Sequence, residues 1–469
     1  MKNSNVVLKF GGSSVADAAH WQTIASQIQQ NLDQKCRPLL VLSALKNVSN
    51  LLEALLHQSL AGVYPVAIAQ LKELHFGFAN QLDLDLLVGS DLSLRLNHWF
   101  EQLEADCLSI FQSKSITPQN HAKVLAIGEL LSSSIGAEYL LKQGFDVFWL
   151  DAREILKSKD QQDPWHHYTS AQCEYQNGAF FDEYVSSKSP KEPSIIVTQG
   201  FIASDQNNNT VLLGREGSDT SAAYFAAMLK AQRLEIWTDV TGVFSANPRE
   251  ISGTVYLPKL SYQQALLMAE FGAKVLHPRV IGPVEENGIP IYVRSTSKSE
   301  HQGTLIGKNS ESKNGVKAIV YESKTTHFVS TPPVDGQGFD SIHENLARLG
   351  FDQLLLCEVE DEYHFILNYV NSDQAQPLIP TLLKAFARCS VSVSIEKALI
   401  TLVGESSDLN WIENAKALIC ELVKDKLIQL YIGENNDRLS LLVESGDCLQ
   451  ISQLLHRALI ENCVKQLTL

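Results

Sequence analysis

The run VVLKF at 6–10 is short and apolar and ends in Gly11-Gly12-Ser13-Ser14. Behind it Trp21, Ile24, Ile28 and Leu32 recur at spacings of three and four, as on one face of a helix. The pattern predicts a strand, a glycine turn and a helix. A second apolar run at 38–44 precedes a long region, about 50–143, with helical periodicity and few glycines or prolines. Apolar runs then recur at 145–150, 194–203, 210–213, 234–240 and 289–294, with helical patterns at 217–230 and 261–275 between several of them. Continuous apolar strands alternating with helices predict an α/β domain around a mostly parallel sheet.

The stretch 295–315 is rich in Ser, Lys, Asn and Gly, interrupted only by Leu305-Ile306, and reads as a linker. Beyond it the strand patterns VKAIV, QLLLCEV, YHFILNYV, SVSVSI, ALITLVG, LIQLYIG and RLSLLVE interleave with helical patterns near 339–349, 373–388, 410–424 and 449–462. Element order suggests two copies of a small β-α-β-β unit.

Composition narrows the function classes. A chain of 469 residues at roughly 100–200 per domain holds two to four domains. The 45% hydrophobic and 19% charged content excludes global disorder. Thirty-eight Lys and Arg against 53 Asp and Glu give a net charge of −15, with no basic block, which argues against nucleic acid or an anionic membrane as partner. No apolar stretch reads as a membrane span and the N-terminus lacks a secretory pattern, so the expectation is a soluble, cytoplasmic protein. Eight scattered cysteines with no C-x-x-C pair predict reduced thiols rather than disulfides or zinc ligands, and no metal ligands are assigned.

Two glycine turns carry the chemistry. KFGGSS at 9–14 presents backbone N–H groups at a helix start, where Gly11 and Gly12 let an anion approach, yet it matches neither the P-loop nor the dinucleotide fingerprint. GREGSDTSAA at 214–223 repeats the design, with Ser218 or Asp219 suited to cap the following helix. Lys9 and Arg215 as cations, with Asp219 as a carboxylate to orient a cation or Mg²⁺, are what phosphoryl transfer needs. A third stretch, WTDVTGVFSANPR at 237–249, suits a loop at the C-terminal edge of a sheet, where open α/β sheets bind ligands.

VVLKFGGSSVAD, VLSALKNVSN, AIGELLSS, TQGFIAS, GREGSDTSAA, IWTDVTGVFSANPR and EFGAKVLHPR occur in the order and approximate spacing of the aspartokinase family, over most of residues 6–310. The chain resembles a monofunctional member. The resemblance implies an amino-acid-kinase fold, a three-layer αβα sandwich over 1–305, a linker at 306–314, and two α+β ACT domains at 315–395 and 396–460, with 461–469 a candidate to complete the first. It implies phosphorylation of the β-carboxylate of L-aspartate by ATP with Mg²⁺, the first step towards lysine, threonine and methionine. It also implies feedback by an amino-acid effector, lysine or threonine, and a homodimer or higher homo-oligomer.

Position by position, the resemblance makes Lys9 with Gly11, Gly12 and Ser13 the phosphate cradle, and Asp219 the carboxylate that holds the catalytic lysine. Arg215 and Glu129 correspond to the groups for the α-carboxylate and α-amine of aspartate, with Ser49, Glu216, Gly217 and Ser218 completing the substrate set. Thr238, Asp239, Phe244, Arg249, Lys274 and Val275 align with nucleotide-binding segments. Other readings stand beside these: Glu129 as a solvated helix charge, Phe244 as loop packing, Lys274 as a helix terminus and His277 as structural. Glu216, Ile127, Asn247 and Phe244 depart from the residues common in the family. Aspartate is already an ionised nucleophile at neutral pH, so the site needs cations rather than a general base, and those at 9, 215, 249 and 274 are expected to converge. The length of 469 leaves no room for a fused dehydrogenase. The runners-up are a kinase for another small acid and a non-catalytic amino-acid sensor.

Overall fold

Strand β1 (Ser4–Phe10) is buried from Val6 onward, so its apolar side chains face protein on both sides of a sheet. The computed structural model describes residues 4–161, 163–189, 191–273, 276–309, 315–330, 353–359, 362–368, 391–405 and 410–462. They form two compact units, one drawn from 1–243, 258–262 and 276–310, the other from 244–257, 263–275 and 311–469.

In the first unit β2 (Cys36–Leu42), β3 (Val147–Leu150), β4 (Ile195–Gln199), β7 (Leu234–Thr238), β10 (Lys259–Ser261), β11 (Ile291–Ser295) and β12 (Thr304–Gly307) join β1 in one eight-stranded sheet, ordered β10-β12-β11-β7-β1-β2-β4-β3. Every pairing is parallel except β11 with β12. A small antiparallel hairpin, β5 (Ile202–Ser204) with β6 (Thr210–Leu212), follows β4. The α/β expectation therefore stands, with two corrections. The apolar run at 194–203 is broken at Gly200-Phe201, because a Cβ on Gly200 would lie 2.5 Å from Cβ of Ser218 and Phe201 has φ +68°. The apolar pair Leu305-Ile306 is no linker interruption but the middle of β12, with Ile306 fully buried and Thr304 accepting the N–H of Val243 at 2.8 Å.

The helical region resolves into Val48–Ala61, Tyr64–Gln81, Asp91–Ser113 and Pro118–Lys142. Contrary to expectation, the last is long and apolar enough to cross a membrane, but its most apolar window is 89% buried in protein. Two of its hydroxyls have partners there: Ser133 accepts from Trp149 at 3.1 Å and Gln199 at 2.8 Å, and Ser134 from Trp99 at 3.2 Å. It is a core helix held by polar ties as well as packing.

The second unit is built on a six-stranded antiparallel sheet of β13 (Val316–Ser330), β14 (Gln353–Val359), β15 (Glu362–Asn368), β16 (Val391–Gly404), β17 (Leu427–Ile432) and β18 (Arg438–Glu444), ordered β14-β15-β13-β16-β18-β17. SVSVSI and ALITLVG, expected as two strands, are one 14-residue strand bent at Glu396, which has φ +58°. VKAIV likewise runs on to a strand of 15 residues. The 395/396 position therefore falls inside β16. Helices Asn410–Leu422 and Cys448–His456 cover a core that includes Ile400, Trp411, Leu441 and Leu455. The helical patterns at 339–349 and 373–388 lie outside the described residues. The short strands β8 (Val243–Phe244) and β9 (Tyr256–Leu257) close the segment between them.

Of the cysteines, the six described (Cys36, Cys107, Cys173, Cys357, Cys420 and Cys448) are free thiols.

Packing against helix Pro118–Lys142 is tight enough to reverse a propensity rule. A Cβ on Gly136 would lie 2.4 Å from the Trp21 ring and 2.7 Å from Leu42. Helix propensity favours alanine by up to about 1 kcal/mol, but overpacking costs about 1–3 kcal/mol. Gly136→Ala is expected to destabilise the chain by about 1–3 kcal/mol in urea unfolding, and a rise in midpoint would show that this contact relaxes freely.

Candidate active site

Parallel pairing sets the ends of β1, β2, β4, β7 and β11 on one edge of the sheet, the edge where such sheets bind ligands. Lys9 is the penultimate residue of β1, and its Nζ lies 2.5 Å from Oδ1 of Asp219, both side chains being about nine-tenths buried. Beyond Lys9 the chain must turn sharply. Gly11 donates its N–H to the Trp237 carbonyl at 3.1 Å. A Cβ on Gly12 would stand 2.8 Å from the Ala44 carbonyl, so only glycine fits. Ser13 is half-buried at the start of the short helix Gly12–Val15, and Ser14 hydrogen-bonds Thr296 at 2.7 Å. Beneath the turn, Phe10 stacks on Trp237 at 5.8 Å, and Arg294 lies over the Trp237 ring at 4.8 Å.

Asp219 comes from the second glycine turn. Helix Gly217–Met228 is buried along its whole length, and its residue before the first turn is Glu216, with φ +50° and no side-chain cap. This corrects the expectation that Ser218 or Asp219 caps the helix: both lie inside the first turn, where the helix dipole favours an acidic group. Glu216 reaches solvent, yet crowding by protein and the negative Asp219 raise its carboxyl pKa, against the opposing pull of Lys9 and Arg215. Those four groups thus sit within electrostatic range of one another. Arg215 is exposed and Gly217 and Ser218 are buried.

Glu129, in the middle of helix Pro118–Lys142, is 3% exposed, which rejects the solvated-charge reading. One oxygen accepts the Ala44 N–H at 3.3 Å and the other has no partner among the described residues. Burial pushes its pKa up to about 8, against the hydrogen bond from Ala44. A buried carboxyl with a vacant oxygen suits an incoming ammonium group, which would restore its charge and its second bond. Gly128 beside it admits Ala44 and Val48, which a Cβ would crowd at 3.0 and 3.1 Å. Ser49, next to Val48, is exposed at the head of its helix. At the end of β7 Thr238 donates to Asp239 at 3.3 Å.

The first unit therefore carries Lys9, Gly11, Gly12, Ser13, Ser49, Glu129, Arg215, Glu216, Gly217, Ser218, Asp219, Thr238 and Asp239. Phe244 and Arg249 belong to the second. There Phe244 meets Tyr256 edge-on at 5.9 Å, and Asn247 accepts the Arg249 N–H at 3.1 Å, a turn bond that asparagine makes as well as aspartate. Lys274 and Val275 lie outside the described residues. His277 is structural: its ring caps helix Pro278–Glu286 by accepting the Arg279 N–H at 3.2 Å.

Sequence reasoning missed three supports. Arg279 donates to the carbonyl of Leu213 at 3.2 Å and to Ser170 at 3.2 Å, bracing the entry to the second glycine turn. Ser221 accepts the Phe201 N–H at 2.9 Å and donates to Gly217 at 3.0 Å. Thr296, the partner of Ser14, is 2% exposed. Arg279 and Ser221 sit within recognised motifs and Thr296 in a stretch read as a linker, but only contact across the fold reveals their work. Among the described residues no cluster of three or more His, Cys, Asp or Glu could hold a metal. A magnesium ion carried by a nucleotide's phosphates needs only one or two protein carboxylates, and Asp219, Glu216 and Asp239 are of that kind.

The amino acid kinase family matches residues 5–295, more than half of the chain, and the chain belongs to that family. Within it the similarity runs to aspartokinases. The bifunctional aspartokinase/homoserine dehydrogenase 1 of the Arabidopsis thaliana chloroplast is 33% identical over 379 residues, covering 77% of this chain and 40% of the relative. The chain spans about two fifths of the length of that bifunctional relative. The lysine-sensitive aspartokinase 3 of Escherichia coli K12 is 28% identical over 464 residues, 97% of this chain and 99% of the relative. A crystal structure of E. coli aspartokinase III with aspartate and ADP, in the R-state, matches with a TM-score of 0.80 at 26% identity, covering 96% of this chain and 98% of that one.

Glu129 gives the site a pH signature. Folded, it keeps its proton to about pH 8, against an ordinary value of 4.5. Between those limits the native state binds the extra proton, so stability falls as pH rises through the window. Glu129→Gln is expected to remove that slope and to gain stability over wild type towards about pH 8 in urea unfolding. Parallel curves from about pH 5 to 8 would mean that Glu129 is ionised in the free protein.

Proposed function

We propose that the chain is an aspartate kinase, transferring the γ-phosphoryl group of ATP to the β-carboxylate of L-aspartate to give 4-phospho-L-aspartate and ADP. The observation that carries this reading is the buried Lys9–Asp219 pair between two glycine turns at the edge of the sheet. A carboxylate oxygen of aspartate attacks the γ-phosphorus as the bond to the bridging oxygen of ADP breaks. The nucleophile is ionised at neutral pH, so no proton has to be removed. Repulsion between two anions is the obstacle, and fixed positive charge offsets it.

Roles follow from chemistry. Lys9 stabilises the transferring group, Asp219 holds its ammonium in place, and Gly11, Gly12 and Ser13 offer backbone N–H groups to the phosphates. Arg215 takes the α-carboxylate of aspartate and Glu129 the α-ammonium, with Ser49, Glu216, Gly217 and Ser218 around them. Thr238, Asp239, Phe244, Arg249, Lys274 and Val275 serve the nucleotide, which brings Mg²⁺ to shield its phosphate charge. The reading places the enzyme in the cytoplasm, at the entry to lysine, threonine and methionine synthesis, as a homodimer. The second unit, as a pair of ACT domains near 315–395 and 396–460, is its regulatory part. The E. coli relative is named for sensitivity to lysine, and lysine is the effector to test first, then threonine.

Aspartate-dependent release of ADP, with trapping of the acyl phosphate as a hydroxamate, tests the reading. Release with glutamate or acetylglutamate instead would assign another acid, and none with any of them would overturn it. Lys9→Ala is expected to lower kcat at least about 100-fold. It should also cost about 3–5 kcal/mol in stability, because Asp219 would be left buried without its partner. Adding Asp219→Asn should restore stability but not turnover. Retention of more than about a tenth of wild-type activity in Lys9→Ala would refute the role of Lys9.

A further inference from the structure

The segment Phe244–Leu257 interrupts the sequence of the first unit but packs within the second. Strand β13 holds it by the Ile319 N–H donating to the Ser245 carbonyl at 2.7 Å, and by Tyr321 donating its hydroxyl to Glu250. The C-terminal helix holds it by Gln453 donating to the Glu250 carbonyl at 3.0 Å and by a bond of 2.8 Å between Ser245 Oγ and His456 Nε2.

Ser245 and His456 are both fully buried. Ser245 Oγ also accepts the Val255 N–H at 2.8 Å, so one hydroxyl ties the two limbs of the segment together and to the helix. Burial lowers the pKa of His456, with Glu461 opposing, which favours the neutral imidazole. At His456 the α-helix gives way to a π-helical turn, Arg457–Glu461, an irregularity frequent at functional sites. The carboxylate of Glu461 lies against Gly253 of the segment, where a Cβ would come within 2.7 Å of it. The end of the helix is thus shaped around this segment.

We propose that His456 is a positioning residue for nucleotide binding: through Ser245 it fixes the segment 244–257 and so sets the affinity for ATP. The proposal rests on the reading of Phe244 and Arg249 as nucleotide contacts. They lie one and four residues from Ser245, so freeing that hydroxyl frees both from a common anchor. Ordering side chains at the moment of binding weakens affinity, and a preorganised segment avoids that loss.

The test uses the full chain, with KM for ATP, KM for aspartate, and ADP affinity by calorimetry. His456→Ala and Ser245→Ala are each expected to raise KM for ATP and Kd for ADP about tenfold, with KM for aspartate unchanged. His456→Gln, whose amide reaches towards Ser245, should restore ATP affinity, which a general loss of packing would not do. Should His456→Ala fail to fold, the smaller Ser245→Ala carries the test. Arg249→Ala separates the two levels of argument. If it weakens ATP binding while Ser245→Ala leaves KM for ATP within about twofold of wild type, the positioning role is overturned. If Arg249→Ala also has no effect, the nucleotide reading of the segment fails, and the proposal with it.

Discussion

An ammonium and a carboxylate held 2.5 Å apart with little access to water are mutually dependent: either alone would be an uncompensated buried charge. The ends of β1 and of helix Gly217–Met228 serve this pair. Strand β1 presents Lys9 one residue before its end, and Gly12 passes under the Ala44 carbonyl where no side chain fits. The helix starts at Glu216 in a left-handed conformation, which turns Asp219 into its first turn. Neighbouring Glu129 obeys the same constraint in the opposite sense. With no cation paired to it among the described residues, it keeps its proton up to about pH 8. The site is therefore built from one satisfied charge and one deferred charge.

Much of the fold was legible because its signals are local. Period-2 and period-3.6 patterns are properties of short windows, so β1, β2, β7 and the helices from 48 to 142 fell where apolar spacing put them. The failures share a cause. The break at Gly200-Phe201 is imposed by Ser218, some twenty residues on, and β12 is a strand only because β10 and β11 flank it. The long strand β16 read as two pieces because a bend at Glu396 looks locally like an end, and β13 read short because its polar second half, from Glu322 to Thr326, carries no apolar run. Helix Pro118–Lys142 was too interrupted by serines and Glu129 to be noticed as apolar, until the structure showed it buried, with Ser133 and Ser134 bonded to side chains across the core.

The site was legible to a different depth. Glycines and charges in fixed order marked the two turns, and the structure brings Lys9, Asp219, Glu216 and Arg215 within range of one another. What order in sequence could not supply was environment. The resemblance singled out Glu129, but only its burial separates that reading from an ordinary helix charge. Arg279, Ser221 and Thr296 act through partners 66, 20 and 282 residues away. His456 shows the limit most plainly, since nothing near it in sequence refers to Ser245.

The two long strands of the second unit have a kinetic consequence. β15 pairs only with the later part of β13, and β18 only with the later part of β16, yet β13 and β16 pair with each other along almost their whole length. Their partners are separated by roughly 60 to 90 residues of chain. Closing so long a loop must precede the contacts that reward it, so this sheet is a slow, late step of folding. During synthesis the first unit has all of its strands once residue 307 has emerged. The segment 244–257, made long before, meets its first partners in β13 when Ile319 and Tyr321 follow and its last only with Gln453 and His456, so it is encoded in the middle of the chain and is among the last parts to settle.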